Sequence, residues 1–249
     1  VILNIILSRT KEIGELFIRY NIRLYSKDKE LINYSDVMTS EFMFDTVLGI
    51  GRMLRFFTYI KNNPCEEIPV SEIKVDMESF DEVKRYMLWN VELNRTDYSP
   101  GDEVSLRLIL KQEKKPDIMK DIAFKIPSET KPGNYYLFIS DSAEDERYRI
   151  MESPRFITLD DLEEIREWLR GSRPLNELTI RLIAGEAGLV INNEEYSDIP
   201  PTFFFLQQAS PSRTAISTNL KTLKEESVVL DAPVTGGKQI IIKISKGAQ

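Results

Sequence analysis

A tight turn leads into the clearest strand pattern of the chain in Asp97-Tyr98-Ser99-Pro100-Gly101-Asp102-Glu103-Val104-Ser105-Leu106-Arg107-Leu108-Ile109-Leu110. Pro100 presets the first central position of the turn, and Gly101 accepts the positive φ of the second, as a type II turn requires. Beyond the turn, apolar residues occupy every second position from Val104 to Leu110. This alternation predicts a strand with one face in a core.

Similar signals surround this strand and indicate an all-β segment. Met87 to Leu93 alternates, which predicts that Trp89, Val91 and Leu93 share one face. Further strands are predicted at Ser71–Met77, at 122–126 and, after the Lys131-Pro132-Gly133-Asn134 turn, at Tyr135–Ser140, where the last two would form a hairpin. Short strands separated by Pro-Gly turns predict an immunoglobulin-like β-sandwich over residues 69–154. An open barrel and a helix-covered sheet are the structural alternatives.

The flanking segments predict mixed structure. Residues 1–68 contain an alternating strand at Phe17–Tyr25, a turn at 26–29 with a returning strand, and an amphipathic helix between Ser40 and Asn62. Residues 155–249 contain a short amphipathic helix over 158–170 and strands at 178–183, 189–191 and 239–244. The predicted fold class is therefore mostly β with α+β flanks, in which 155–249 packs with 1–68 to form a flanking sheet with two amphipathic helices.

Composition excludes several functions. The 249 residues include 40 acidic and 33 basic residues, so the chain has no excess positive charge to neutralise nucleic-acid phosphates. The absence of histidine removes Ser-His-Asp and Cys-His catalysis and the commonest transition-metal ligand. A single cysteine, Cys65, excludes an intrachain disulfide and a multi-thiolate metal site. No apolar run approaches the roughly 20 residues of a membrane-spanning helix. The start at Val1 indicates a fragment or a processed product.

Few residues attract a functional interpretation. We find no glycine-rich phosphate loop, and we expect no catalytic, cofactor-binding or metal-binding residues. The acidic segment 141–146 lacks the ligand spacing of a calcium loop and predicts a solvated loop. Four consecutive apolar residues, 203–206, predict a buried element or, if uncovered, a partner site. Exposed aromatic side chains could form a sugar-binding platform, although alternation places at least half of them in the core. The candidate interaction residues are Phe203, Phe204, Phe205, Tyr135 and Tyr136.

Several segments carry a resemblance to a known family. They are 91–104, Lys125-Ile126-Pro127 and Lys131-Pro132-Gly133-Asn134-Tyr135-Tyr136-Leu137. Together they resemble the region downstream of the peptidase domain in large exported bacterial proteins with a SpoIVB-type serine peptidase. The resemblance implies a periplasmic or extracellular parent protein and an accessory position for this region. That family uses a Ser with a His, and a chain without histidine has no positions for those catalytic residues.

The sequence thus favours a non-catalytic interaction region that positions a peptidase, contacts an envelope partner or assembles with its own copies. A carbohydrate- or surface-binding module that uses exposed aromatics is the alternative. A histidine-independent hydrolase, built on carboxylates or a Ser-Lys pair, is a third hypothesis. The expected partner is a protein or the parent chain itself.

Overall fold

The computed structural model describes residues 16–27, 29–40, 70–80, 84–113, 115–152, 167, 171–185, 188–191, 194–197, 215–218 and 220–245. Within these ranges the chain is mostly β, with one helix. The chain forms two compact units. The described part of the first unit comprises residues up to Tyr86, then 167, 171–176 and 230–234, and the second unit holds the rest. In the described ranges no helix is long and apolar enough to cross a membrane.

The first unit contains an antiparallel sheet of three strands. These are β1 (Leu16–Ser26), β2 (Lys29–Ser40) and β3 (Glu72–Phe80), in the order β2-β1-β3. The predicted strand at Phe17–Tyr25 is confirmed, because side chains two residues apart are buried, namely Ile18, Tyr20, Ile22 and Leu24. The predicted return is also confirmed, with Ser26 opposite Lys29.

The second unit contains most of the remaining elements. They are β4 (Tyr86–Leu93), β5 (Asp97–Tyr98), β6 (Glu103–Lys111), β7 (Ile118–Lys125), β8 (Gly133–Ser140), α1 (Ser142–Glu152), β9 (Glu177–Ala184), β10 (Gly188–Ile191), β11 (Glu194–Ser197), β12 (Ala215–Thr218), β13 (Lys221–Val229), β14 (Val234–Thr235) and β15 (Lys238–Ile244). The sheets have the orders β13-β9-β8-β15-β5, β14-β4-β6-β7 and β11-β10-β12. In the five-stranded sheet, β8, β9 and β13 lie side by side and β15 returns beside β8, which is Greek-key order.

The turn and strand at the centre of the sequence prediction are confirmed. The Asp102 amide donates a hydrogen bond to the Ser99 carbonyl at 3.1 Å, and Gly101 has a φ of 86°. Both features are those of a type II turn. In β6 every second side chain is buried to 1% exposure or less, namely Val104, Leu106, Leu108 and Leu110.

The predicted face of β4 is wrong for Trp89. The pairing of β4 with β6 shifts register between Leu88 and Asn90, so that Trp89 has no partner on β6. A one-residue bulge of this kind reverses which side chains face the core beyond it. As a result Leu88 and Val91 are buried, whereas Trp89 is 52% exposed.

Strand pairings run across residues 69 and 154, where the predicted sandwich begins and ends. Strand β3 pairs with β1 in the first unit, and β9 and β15 both pair with β8 although they lie beyond residue 154. The predicted hairpin of β7 and β8 is wrong, since the two strands belong to different sheets. Between them the chain turns at Pro127, whose carbonyl accepts a bond from the Thr130 amide at 3.2 Å.

Some predictions fall outside the described residues. The predicted helix between Ser40 and Asn62 lies outside them, and so does the predicted helix 158–170 except for Glu167. Phe203, Phe204 and Phe205 lie outside them as well.

Replacing Gly101 tests the type II turn. We expect Gly101→Ala to lower the free energy of unfolding by about 1–2 kcal/mol, because an L side chain is strained at this φ. Urea denaturation followed by circular dichroism measures the change. Gly133→Ala is the matched control, because Gly133 does not have a positive φ and a Cβ there would make ordinary contacts with Tyr135. Equal losses in both variants would contradict the assignment.

Candidate functional site

The acidic segment 141–146 forms the start of α1, so the predicted solvated loop is wrong. Asp141 is the N-cap: its Oδ1 accepts hydrogen bonds from the amides of Ala143 at 2.9 Å and Glu144 at 2.8 Å. Its Oδ2 accepts the Gly236 amide at 2.5 Å. A sequence signal for this helix exists, since an N-cap residue followed three positions later by Glu resembles a capping box.

A buried ionic cluster joins α1 to the five-stranded sheet. Arg181 on β9 is 1% exposed and donates to Asp145 of α1, which is equally buried. Its second terminal nitrogen lies 2.5 Å from Glu225 of β13. The guanidinium carbon lies 5.1 Å from the centre of the Tyr148 ring. One cation therefore connects a helix and two neighbouring strands.

Electrostatics keep this cluster charged. Burial lowers the pKa of Arg181, but hydrogen bonding to Asp145 and the charges of Asp145 and Glu225 outweigh burial and raise it. Burial also raises the pKa of the Tyr148 hydroxyl, which lies 3.1 Å from Thr222 Oγ1. Both side chains keep their protons at neutral pH. Arg181 therefore keeps its charge inside the cluster.

Two buried hydroxyls lie on the same face of the sheet as Arg181. Ser140 and Thr179 are directly opposite each other on β8 and β9, and both are completely buried. Among the described residues, neither hydroxyl oxygen has a hydrogen-bond partner. A serine nucleophile needs a base within hydrogen-bond reach, so the observed geometry does not activate Ser140. The cluster of Arg181, Asp145 and Glu225 holds α1 against the sheet.

A pocket of about 690 Å³ lies in the first unit, lined by β1, β2, β3 and residues Pro174 and Asn176. Its charged lining residues are Arg19, Asp36, Asp76 and Glu78. Asp36 is buried and accepts bonds from the Tyr34 hydroxyl at 2.8 Å and the Leu175 amide at 2.6 Å. Asp76 is bonded to Arg23. Both aspartates therefore hold this unit together, and no three potential metal ligands cluster among the described residues.

An apolar surface lies on the outer face of the sheet that contains β4, β6 and β7. Met87, Trp89 and Met119 are 48%, 52% and 64% exposed. Met119 lies opposite Ile109, which lies opposite Asn90 next to the bulge. The Lys111 Nζ lies 3.5 Å from the centre of the Trp89 ring. We call the five residues Met87, Trp89, Ile109, Lys111 and Met119 the Trp89 surface. It is the candidate functional site.

Of the predicted interaction residues, the structure describes Tyr135 and Tyr136, which point to opposite faces of β8. Tyr135 is buried, and its hydroxyl donates to the Lys131 carbonyl at 2.7 Å. Tyr136 is half-buried on the opposite face of β8, while Trp89 belongs to the other large sheet. Tyr148 belongs to α1 and is buried. The described aromatics therefore form no continuous sugar-binding platform, and the alternation pattern alone gave no sign that Trp89 faces outward.

Comparison of the chain with protein-family models, curated proteins and solved structures gave no match. The resemblance to regions downstream of SpoIVB-type peptidases stays a prediction.

Breaking the buried ion pair tests the role of Arg181. We expect Asp145→Ala to lower the free energy of unfolding by about 3–5 kcal/mol, because it leaves a buried guanidinium with Glu225 alone. Chemical denaturation measures the loss. Asp121→Ala is the matched control, since it removes a carboxylate bonded to Arg107 in the same way but on an exposed strand face. If the two variants lose similar stability, the buried cluster does not anchor α1.

The Tyr135 hydroxyl allows a second test. We expect Tyr135→Phe to lower the free energy of unfolding by about 1 kcal/mol, because the bond to Lys131 is lost while the ring still packs. Tyr136→Phe, one residue along the same strand, should change stability much less. Thermal or urea denaturation compares them, and a larger loss for Tyr136→Phe would contradict a structural role for the Tyr135 hydroxyl.

Proposed function

We propose that this chain is a non-catalytic accessory region of a larger exported bacterial protein and that it binds a protein partner through the Trp89 surface. The carrying observation is the bulge in β4, which turns Trp89 out of the core. The sequence resemblance supplies the rest of the context, namely a periplasmic or extracellular parent protein with a peptidase domain. In that parent, the partner would be the peptidase domain or an envelope protein.

The composition of the Trp89 surface supports protein binding. Tryptophan and methionine are enriched at protein interfaces, and tryptophan is a frequent hot spot. Met87 and Met119 flank Trp89 with flexible apolar side chains that adapt to a partner. Lys111 places one positive charge against Trp89. A complementary partner would present apolar side chains around a carboxylate.

The same geometry weighs against the carbohydrate-binding alternative. A sugar ring stacks on the open face of an aromatic side chain, and here Lys111 Nζ lies over the Trp89 ring. A sugar would have to displace that ammonium group and its cation–π contact.

We infer that the second unit is an immunoglobulin-like β-sandwich. Greek-key order in the five-stranded sheet supports this fold. Two tyrosine hydroxyls bind backbone carbonyls a few residues upstream, Tyr135 to Lys131 and Tyr98 to Arg95, each at 2.7 Å, as in a tyrosine corner. The edges of the two large sheets also meet. Lys224 of β13 lies 5.0 Å from the centre of the Phe124 ring of β7.

Site-specific photocrosslinking tests the proposed surface. A p-benzoylphenylalanine introduced at Trp89 or Met119 in the producing cell should form an adduct with the parent peptidase domain or an envelope protein. Mass spectrometry of the adduct identifies the partner. With that partner purified, Trp89→Ala should weaken binding by about tenfold or more, because hot-spot aromatics dominate interface energies.

The matched control position is Ile241, which is 60% exposed on the other large sheet. Crosslinking of equal yield from Ile241, or none from Trp89 and Met119, would refute the proposed surface. Binding on a glycan array that is lost in Trp89→Ala would favour the carbohydrate-binding alternative instead.

A further inference from the structure

Among the described strands of the first unit, β3 is an edge of its sheet. It lies at the end of the order β2-β1-β3, and no described strand pairs with its outer side. Its side chains are largely exposed, with Ile73 at 47% and Phe80 at 37%. The opposite edge strand, β2, contacts a further segment of the chain, because Asp36 accepts a hydrogen bond from the Leu175 amide. About half of the nine residues of β3 therefore direct backbone donors and acceptors away from β1, where another strand can use them.

The two faces of β3 carry different side chains. Ile73, Val75 and Met77 extend the apolar face of β1, since Val75 lies opposite Ile22 and Met77 lies opposite Tyr20. The other face carries only charged side chains between Glu72 and Glu78, namely Glu72, Lys74, Asp76 and Glu78. Charges on an edge strand normally discourage pairing. Here their order decides which strand could pair.

The charge order of β3 is complementary to itself. When two copies of β3 run antiparallel about a twofold axis at Asp76, the midpoint of the strand, all nine residues find a partner. Lys74 then lies opposite Glu78 of the other copy, and Val75 lies opposite Met77. The twofold axis repeats each of these pairs, so the contact contains two ion pairs and two apolar pairs.

Neighbouring registers lack this match. An axis at Val75 pairs Lys74 with Asp76 but places Glu72 opposite Glu78, and an axis at Met77 places Asp76 opposite Glu78. Like charges directly opposite each other destabilise a sheet. An axis at Ile73 brings Lys74 opposite Glu72 but leaves the end of the strand unpaired.

The register with its axis at Asp76 contains one repulsive contact, which is already compensated. The two Asp76 side chains would meet at the twofold axis. Each is bonded to Arg23 of its own chain, so that the axis carries two carboxylates and two guanidinium groups. Among the described residues Glu78 has no ion-pair partner, whereas Lys74 lies 3.4 Å from Glu72. Lys74 can therefore lie between Glu72 of its own chain and Glu78 of the second copy.

We propose that two copies of this chain dimerise by antiparallel pairing of β3 about Asp76, which joins two three-stranded sheets into one of six strands. A single strand pair buries little surface, so the dimer is weak and depends on concentration. This contact does not depend on the Trp89 surface.

Charge exchange tests both the contact and its register. Sedimentation velocity over a concentration series should show a monomer–dimer equilibrium for the chain. Lys74→Glu and Glu78→Lys should each raise the dimer dissociation constant about tenfold or more, because each creates two like-charge pairs across the axis. The double variant Lys74→Glu/Glu78→Lys should restore dimerisation, since the pairs are re-formed with exchanged signs.

Two controls separate this contact from others. Lys243→Glu makes the same charge change at an exposed position on a strand of the second unit and should leave dimerisation unchanged. Trp89→Ala should do the same, so that failure of the proposed function and failure of this dimer are distinguishable. A monomer at all concentrations, or a dimer that the single variants do not weaken, would overturn the proposal. A double variant that fails to restore the dimer would overturn the register.

Discussion

The buried guanidinium of Arg181 is the constraint on which the packing of the second unit depends. Removing a charge from water costs several kcal/mol, and only close partners of opposite charge offset this cost. Asp145 can serve as one partner only if α1 starts at a fixed place, and Asp141 sets that place as the N-cap. Because Asp141 also binds the Gly236 amide, the cluster fixes the turn that leads into β15.

That turn lies against the backbone of β4, next to the Trp89 surface. Gly236 has a φ of 104°, and a Cβ there would stand 3.3 Å from the Leu88 carbonyl oxygen. A glycine is therefore needed where the chain passes β4, immediately before the register shift at Trp89. The exposure of Trp89 follows from this local backbone geometry. A strand that alternated regularly from the buried Val91 would have placed this large aromatic side chain in the core, where burial favours it.

The sequence predicted the features that depend on residues close together along the chain. Alternation identified β1 and β6 with their buried faces, and Pro100-Gly101 identified a type II turn. Alternation indicates which face of a strand is buried but not which strand lies beside it, and so the pairing of β3 with β1 was not predicted. The alternation of apolar residues gave no indication of the bulge at Trp89. The N-cap at Asp141 was indicated by Glu144 three positions later, but the run of acidic residues was interpreted as a solvated loop.

The two units treat their sheet edges differently. In the second unit, β13 and β7 are edge strands of different sheets, and lysines connect them: Lys224 donates to the Lys125 carbonyl at 2.8 Å and Lys120 to the Val229 carbonyl at 3.3 Å. Lysine is a common means of protecting an edge from other chains. On β3 the single lysine bonds to no such carbonyl of the described residues and lies in a charge order that matches a second copy of the strand. Lysine contacts thus protect the edges at β13 and β7, whereas the edge at β3 is self-complementary. Contacts with other chains are thereby restricted to particular surfaces.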